Sequence, residues 1–305
     1  MGQTQAVALL ERAVSLNRIA PGYLFVGPGG TGRSLAAGGF AQLLLQVEGV
    51  DQTVLSRRIR DRNHPDLLWV EPTYQHNGNL LTVSQAAEAG LKRKSPPIVR
   101  LPQIREIAQF LSRPPLEAKQ AVVVVEHCER MAEPAANALL KTLEEPGNAT
   151  LILIAPDQQS ILSTLVSRCQ SIPFRRLNTE QMAQILKRTG HTEILESVEV
   201  LAIAQGSPGR AIASWQQMQA LPPELLTQVK ELPKTLRDAL TLAKEIDQAL
   251  DTEAQLWLLD YMQQRYWQQG VSASVLAKLE RARSYLLAYV QPRLVWEMAL
   301  SSMTP

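Results

Sequence analysis

Cysteine is nearly absent from this chain: Cys128 and Cys169 are its two thiols in 305 residues. Two thiols cannot supply a four-cysteine zinc site or a dense disulfide framework, so a reducing cytoplasm is the expected setting. One-sided charge is absent too. The 31 basic and 29 acidic side chains leave +2 and a pI near 8.5, which does not announce nucleic-acid binding. Any DNA contact would be local, or shared with partner subunits. No apolar run is long enough to span a bilayer, and no secretory apolar segment opens the chain. Met1-Gly2 begins like a myristoylation signal, but Ala6 stands where Ser or Thr is required. With 45% hydrophobic and 20% charged residues the chain reads as soluble and globular, with room for one large domain or two to three small ones.

What the chain does have is organised around residues 121–176. Residues 122–125 are a wholly apolar, β-branched run closed by Glu126, the pattern of a strand buried on both faces of a parallel sheet. Pro134 opens a helix, where its missing N–H costs nothing. Ala135, Ala138, Leu139 and Leu143 recur at helical spacing, and Pro146 ends the helix. Residues 151–155 form a second buried strand, and Ser167-Arg168-Cys169 follows a third helical segment. In open α/β sheets ligands sit at the carboxyl ends of strands, and Glu126 falls at such an end.

Upstream, residues 6–16 read as a short amphipathic helix, 23–26 as a buried strand and 35–47 as a helix. Between strand and helix stands Gly27-Pro28-Gly29-Gly30-Thr31-Gly32-Arg33-Ser34. This is the context of a phosphate-binding loop, in which glycines turn backbone N–H groups toward phosphate and the helix N-terminus adds positive potential. The pattern G-x-x-x-x-G-K-[ST] is met except that Arg33 replaces the lysine; Ser34, the magnesium-side hydroxyl, is present. A planar guanidinium does not substitute for a compact ammonium at a tight phosphate site. A glycine-rich turn with no ligand stays open as the alternative.

Residues 48–66 are polar and basic, with Arg57, Arg58, Arg60, Arg62 and His64. They read as a short connection with a solvated helix face, the alternative being a phosphate-contacting patch. Residues 66–70 form another strand. Residues 71–97 are a polar, proline-bounded loop or loosely packed insertion carrying Lys92-Arg93-Lys94, with a DNA-facing or partner-facing tip as the other reading. Residues 101–111 return to helical period.

NALLKTLEEP at 137–146 and SRC at 167–169, with Ile104-Arg105, resemble the clamp-loader branch of the AAA+ ATPases. The resemblance covers Gly2-Gln3 to about Ala211 and, more weakly, the helical remainder. It implies an α/β plus α chain of three domains: a RecA-like AAA+ parallel-sheet domain at 1–176, a small helical lid at 177–213 and an all-α collar at 214–305 that packs into a pentameric ring. Many relatives carry a four-cysteine zinc module in the 48–66 interval; no cysteine falls there, so no metal is expected.

A hydrolysing subunit of this family places Asp-Glu after the apolar strand, the Asp holding magnesium and the Glu polarising the attacking water. Here the pair is Glu126-His127, one methylene longer at the first position and without a carboxylate at the second. The polar sensor at the end of the 151–155 strand is replaced by Ala155-Pro156. Arg33, His127 and Ala155-Pro156 depart independently, so the expectation is a chain that does not hydrolyse ATP by itself. No cofactor is required; weak ATP and magnesium binding would fall to Gly27, Gly29, Gly30, Gly32, Arg33, Ser34, Glu126 and Arg210. SRC is intact, and in the family its arginine, here Arg168, projects into the next subunit's ATP site as an arginine finger. On residue physics alone Arg168 is a surface arginine in a salt bridge. Lys141 and Glu145 are further candidates to face that neighbour. Arg210, in Gly206-Ser207-Pro208-Gly209-Arg210-Ala211, resembles the sensor-2 arginine that reaches the γ-phosphate, with a purely structural role as the equal alternative.

The resemblance therefore implies the stationary subunit of the sliding-clamp loader of a bacterial DNA polymerase III complex. Its partners would be the motor subunits and the delta subunit in a heteropentamer, and through them the clamp and primer-template DNA, with no membrane partner. The rivals are an active motor ATPase and a non-replicative P-loop scaffold. Past Asn178 or Thr179, either able to cap a helix, the chain is helical and punctuated by Pro222, Pro223, Pro233 and Pro292, with residues 272–303 as two helices. Trp257, Tyr261, Tyr266 and Trp267 read as core or interface, because no basic stripe interleaves them as single-strand binding would want.

Overall fold

The computed structural model describes residues 2–90 and 96–304; Lys92-Arg93-Lys94 lies outside the described residues. The chain divides into two compact units, Met1–Leu177 and Asn178–Pro305.

The first unit runs α1 (Thr4–Ser15), β1 (Gly22–Val26), α2 (Arg33–Leu45), α3 (Gln52–Arg60), β2 (Leu67–Val70), β3 (Tyr74–His76), β4 (Asn79–Leu81), α4 (Val83–Glu88), α5 (Leu101–Leu111), β5 (Ala121–Val125), α6 (Glu133–Glu144), β6 (Ala149–Ala155), the single turn α7 (Ser163–Val166) and β7 (Gln170–Pro173). Five of the strands make a parallel sheet in the order β2-β5-β6-β1-β7. Successive side chains of a strand point to opposite faces. Accordingly Val122, Val124, Ile152 and Ile154 pack with Ala37, Phe40 and Leu44 of α2. Val123, Val125, Leu151 and Leu153 pack with Ile104 and Ile107 of α5 and Leu139 and Leu143 of α6. A helix layer on each face is why these strands read as unbroken apolar runs. Small residues Ala36, Ala37 and Ala41 let α2 approach closely, and the Tyr23 ring meets Phe40 edge-on at 4.9 Å.

Several sequence expectations change. The helix expected at 35–47 begins at Arg33 and ends at Leu45, because left-handed Gly32 is already its N-cap and Gln46 is extended. The interval 48–66 contains α3, capped by Asp51, which accepts from the Thr53 N–H at 2.7 Å, and anchored by buried Leu55 and Ile59. Residues 71–97 are not a plain loop. They hold the antiparallel β3–β4 hairpin, turned by Asn77-Gly78 with both φ positive, and α4, which starts at a Thr82–Gln85 capping box.

The second unit is helical: α8 (Thr179–Arg188), α9 (Val198–Ala204), α10 (Pro208–Ala220), α11 (Pro223–Gln228), α12 (Leu236–Ala249), α13 (Thr252–Gln268), α14 (Ala273–Leu287) and α15 (Pro292–Ser301). Asn178 caps α8, accepting from the Gln181 N–H at 2.8 Å. The expected lid and collar both fall in this one unit. Two hydrophobic clusters lie inside it, one with Met182, Leu186, Val200 and Ala211, the other with Leu242, Leu258, Tyr266, Leu279 and Trp296. Buried Trp296 donates to Gln255 Oε1 at 2.9 Å, and the Gln255 amide donates to the Leu250 carbonyl at 2.9 Å, so this polar pair is satisfied inside the core. Tyr261 and Tyr266 are core residues, whereas Trp267 is 70% exposed. Among the described residues no helix is long and apolar enough to cross a membrane.

One buried carboxylate ties the sheet edge to the chain entering β5. Asp66, 2% exposed, accepts from the backbone N–H groups of Leu116, Glu117 and Ala118 at 2.6, 2.8 and 2.7 Å. Burial alone would raise its pKa; the three N–H groups outweigh it and hold the carboxyl below its ordinary value. Its contribution to stability is complete above the unfolded value of about 3.9 and is lost as pH falls through the lowered native value. Asp66→Asn should cost about 2–3 kcal/mol at neutral pH, since three buried donors then meet an amide. In urea denaturation the gap to wild type should narrow below about pH 4.

Candidate functional site

The glycine loop after β1 has the backbone its sequence promised. Gly30 and Gly32 take φ values of 74° and 96°, and Gly27 takes 154°. At Gly27 a Cβ would run into the Phe174 carbonyl oxygen at the end of β7, so this glycine is required by close approach. Gln3 ties the loop to the strand ends: its amide donates to the carbonyls of Arg175 at 2.6 Å and Thr31 at 3.3 Å, and accepts from the Arg175 N–H at 3.1 Å. Ser34 is half-buried in the first turn of α2.

Arg33 is 8% exposed, and its Nη1 donates to the Ala155 carbonyl at the end of β6. The sequence position without a sensor side chain thus contributes through its backbone. Burial pulls the Arg33 guanidinium below its ordinary pKa, while Glu129 and Glu126 act in the opposite direction.

Glu126 sits at the carboxyl end of β5 and is also engaged. Trp69 Nε1 donates to Glu126 Oε1 at 3.0 Å, and Arg62 lies 3.7 Å from the same oxygen. Arg62 pairs with Glu71 at 3.0 Å and stacks over the Trp69 ring at 4.9 Å. Arg62 therefore does not belong to a solvated helix face: it lies past α3 with φ 54° and reaches the strand ends. Arg58 is likewise paired, with Glu117 at 2.7 and 3.0 Å. His127 has φ 53° and turns its Nδ1 to Glu129 Oε1 at 2.9 Å. Burial would raise the Glu129 pKa, but His127 and Arg130 hold it below its ordinary value. Among the described residues no three His, Cys, Asp or Glu side chains are grouped to hold a metal ion.

Arg168 stands apart from this pocket, between α7 and β7. Its Nη2 donates to Glu144 Oε1 at 2.5 Å and its Nη1 to the Thr164 carbonyl at 3.1 Å, with the side chain 38% exposed. The neighbouring Cys169 thiol is pushed up to about 11 by burial, so it packs rather than reacts. Arg210 lies in the second unit. Its Nη2 donates to Asp260 Oδ2 at 2.5 Å, and Arg283 meets the other oxygen of the same carboxylate. Sequence reasoning missed Trp69, Glu129, Glu144 and Gln3 as partners. For Trp69 a signal existed, since a tryptophan at a strand end needs a hydrogen-bond acceptor. Only the pairing of β2 with β5, Val70 against Val125, makes that acceptor Glu126.

A family model described as DNA polymerase III, delta subunit, matches residues 2–178, more than half of the chain. Another, described as cyanobacterial DNA polymerase III delta prime, C-terminal domain, matches residues 180–303. The chain belongs to the delta-prime family of DNA polymerase III subunits. The two matches meet at residues 178–180, within about two residues of the division between the compact units at Leu177–Asn178. Among relatives, DNA polymerase III subunit delta' of Bacillus subtilis is 32% identical over 180 residues, 57% of this chain and 48% of that protein. The Pseudomonas aeruginosa subunit delta' is 32% identical over 199 residues, 62% of this chain and 54% of that one. The chain spans about half the length of the curated relatives it matches. In structure it resembles a DNA polymerase III gamma subunit-related protein of Thermotoga maritima, with a TM-score of 0.55 at 18% identity over 98% of each chain. With that neighbour it shares its fold, here a five-stranded parallel sheet in the first unit and a helical second unit.

The Trp69–Glu126 contact gives a direct check. Trp69→Phe keeps an aromatic ring, though a smaller one, and deletes the N–H donor, leaving a largely buried carboxylate to Arg62 alone. The variant should lose about 1–2 kcal/mol of unfolding free energy in urea denaturation.

Proposed function

We propose that this chain is the stationary, non-hydrolysing delta-prime subunit of the DNA polymerase III clamp loader, donating Arg168 in trans to the ATP site of a neighbouring motor subunit. The observation that carries this reading is the state of Arg33. A lysine at that place would offer a mobile point charge to phosphate, whereas the Arg33 guanidinium is buried against the chain's own Ala155 carbonyl. Glu126, held by Trp69 and Arg62, supports the same reading, as does His127, which offers no carboxylate to an attacking water. These residues do not fit a hydrolytic magnesium–triphosphate site.

Arg168 contrasts with Arg33. It is partly exposed, and its ion pair with Glu144 is of the surface kind, contributing about 0–1 kcal/mol. Such a pair leaves other guanidinium N–H groups for a triphosphate, which accepts charge-assisted bonds from them. Arg210 serves structure in this reading, bracing α10 against α13 through Asp260. The subunit's partners are the motor and delta subunits of a heteropentamer, and through them the sliding clamp and primer-template DNA. The second unit supplies the lid and the ring-forming collar, and the cytoplasm is where the chain works.

The purified chain should show no turnover of magnesium-ATP, and steady turnover by it alone would reject the non-hydrolysing assignment. In a loader reassembled with its motor and delta subunits, Arg168→Ala should lower DNA-stimulated turnover at the adjacent site about 10³-fold or more, with an unchanged melting temperature. Wild-type turnover by that loader would reject the finger.

A further inference from the structure

The last residue of α6 faces Arg168 across 24 positions of sequence: Glu144 Oε1 accepts from Nη2 at 2.5 Å. The Thr164 carbonyl accepts from Nη1 at 3.1 Å. A guanidinium carries five N–H donors, so these two contacts fix its plane and leave the others for a second anion. An arginine held at two points has less rotamer freedom to surrender on docking than a free one.

The backbones that present the two groups are braced at one place. A side chain at Gly22, the first residue of β1, would meet Leu143 Cδ2 at 2.8 Å, Cys169 Sγ at 3.0 Å and the Arg168 carbonyl oxygen at 3.3 Å. The neighbour of Glu144, the neighbour of Arg168 and the Arg168 backbone itself thus close on a single glycine at the start of β1. The end of α6 and the turn before β7 are therefore set relative to each other by packing.

We infer that Glu144 is a positioning residue for Arg168, orienting the guanidinium toward the triphosphate held by the adjoining subunit. This rests on the trans-acting reading of Arg168 given above. The pair is half-exposed, with Glu144 at 50%, so it contributes little to folding. Its loss is felt in the rate of the neighbour's site and not in melting.

The test uses the reassembled loader with primer-template DNA. Glu144→Ala should lower kcat about two- to five-fold, with KM for ATP and melting temperature unchanged. Glu144→Gln, which keeps an acceptor oxygen at the same reach, should retain most of the wild-type kcat. In an Arg168→Ala background, Glu144→Ala should add nothing, because its effect runs through the guanidinium. Wild-type kcat for Glu144→Ala beside an impaired Arg168→Ala would overturn the positioning role and leave the finger standing. A further loss in the double variant, or a Gln variant as slow as the Ala variant, would also overturn it. Wild-type kcat for Arg168→Ala itself would remove the finger and this inference together.

Discussion

A parallel strand sandwiched between helix layers has only its ends free to meet anything else. In this chain that constraint places Glu126 and the Ala155 carbonyl, which Arg62 and Arg33 reach from the turn after α3 and from the start of α2. β5 and β6 are buried along their whole lengths, so Glu126 and the Ala155 carbonyl are the first points at which these strands can offer polar chemistry. β1 ends in the glycine loop and β2 in Trp69-Val70-Glu71, beside β5. The carboxyl edge of the sheet is thus one line of strand ends, and what the pocket can do depends on how they pair.

They pair with one another. Arg33 is taken by a backbone carbonyl, Glu126 by Trp69 and Arg62, and His127 by Glu129. Each contact is a modest net gain in isolation, but each also spares a buried or half-buried polar group an unmet hydrogen bond. A magnesium-triphosphate entering this edge would have to break several of them. The loop keeps its left-handed glycines while the charges around it are paired within the chain.

Arg168 shows the opposite economy. It has partners as well, but they are an exposed carboxylate and a helix-end carbonyl, and both lie on its own unit near the surface. Burial separates the two arginines more than chemistry does: Arg33 is locked into the core of its own pocket, and Arg168 remains within reach of an incoming anion. Arg210 is a third case, sharing the Asp260 carboxylate with Arg283 inside the helical unit.

The sequence by itself determined the elements whose cause is local. Apolar β-branched runs gave the buried strands, Pro134 and Pro146 bounded α6, and Gly27, Gly30 and Gly32 gave the loop its unusual backbone. The Asn77-Gly78 turn of the β3–β4 hairpin is equally local, but its strands are three residues each, too short for an alternating pattern to show. The partners were not local. Trp69 and Glu126 are 57 positions apart, Arg33 and Ala155 122, and Glu144 and Arg168 24. Only the strand order β2-β5-β6-β1 and the closure of two segments on Gly22 bring those groups together. Propensity and periodicity act over a few residues, whereas side-chain pairing at a sheet edge is fixed by which strands become neighbours. That is why the tertiary structure alone decided which arginine is buried in its own pocket and which is left at the surface.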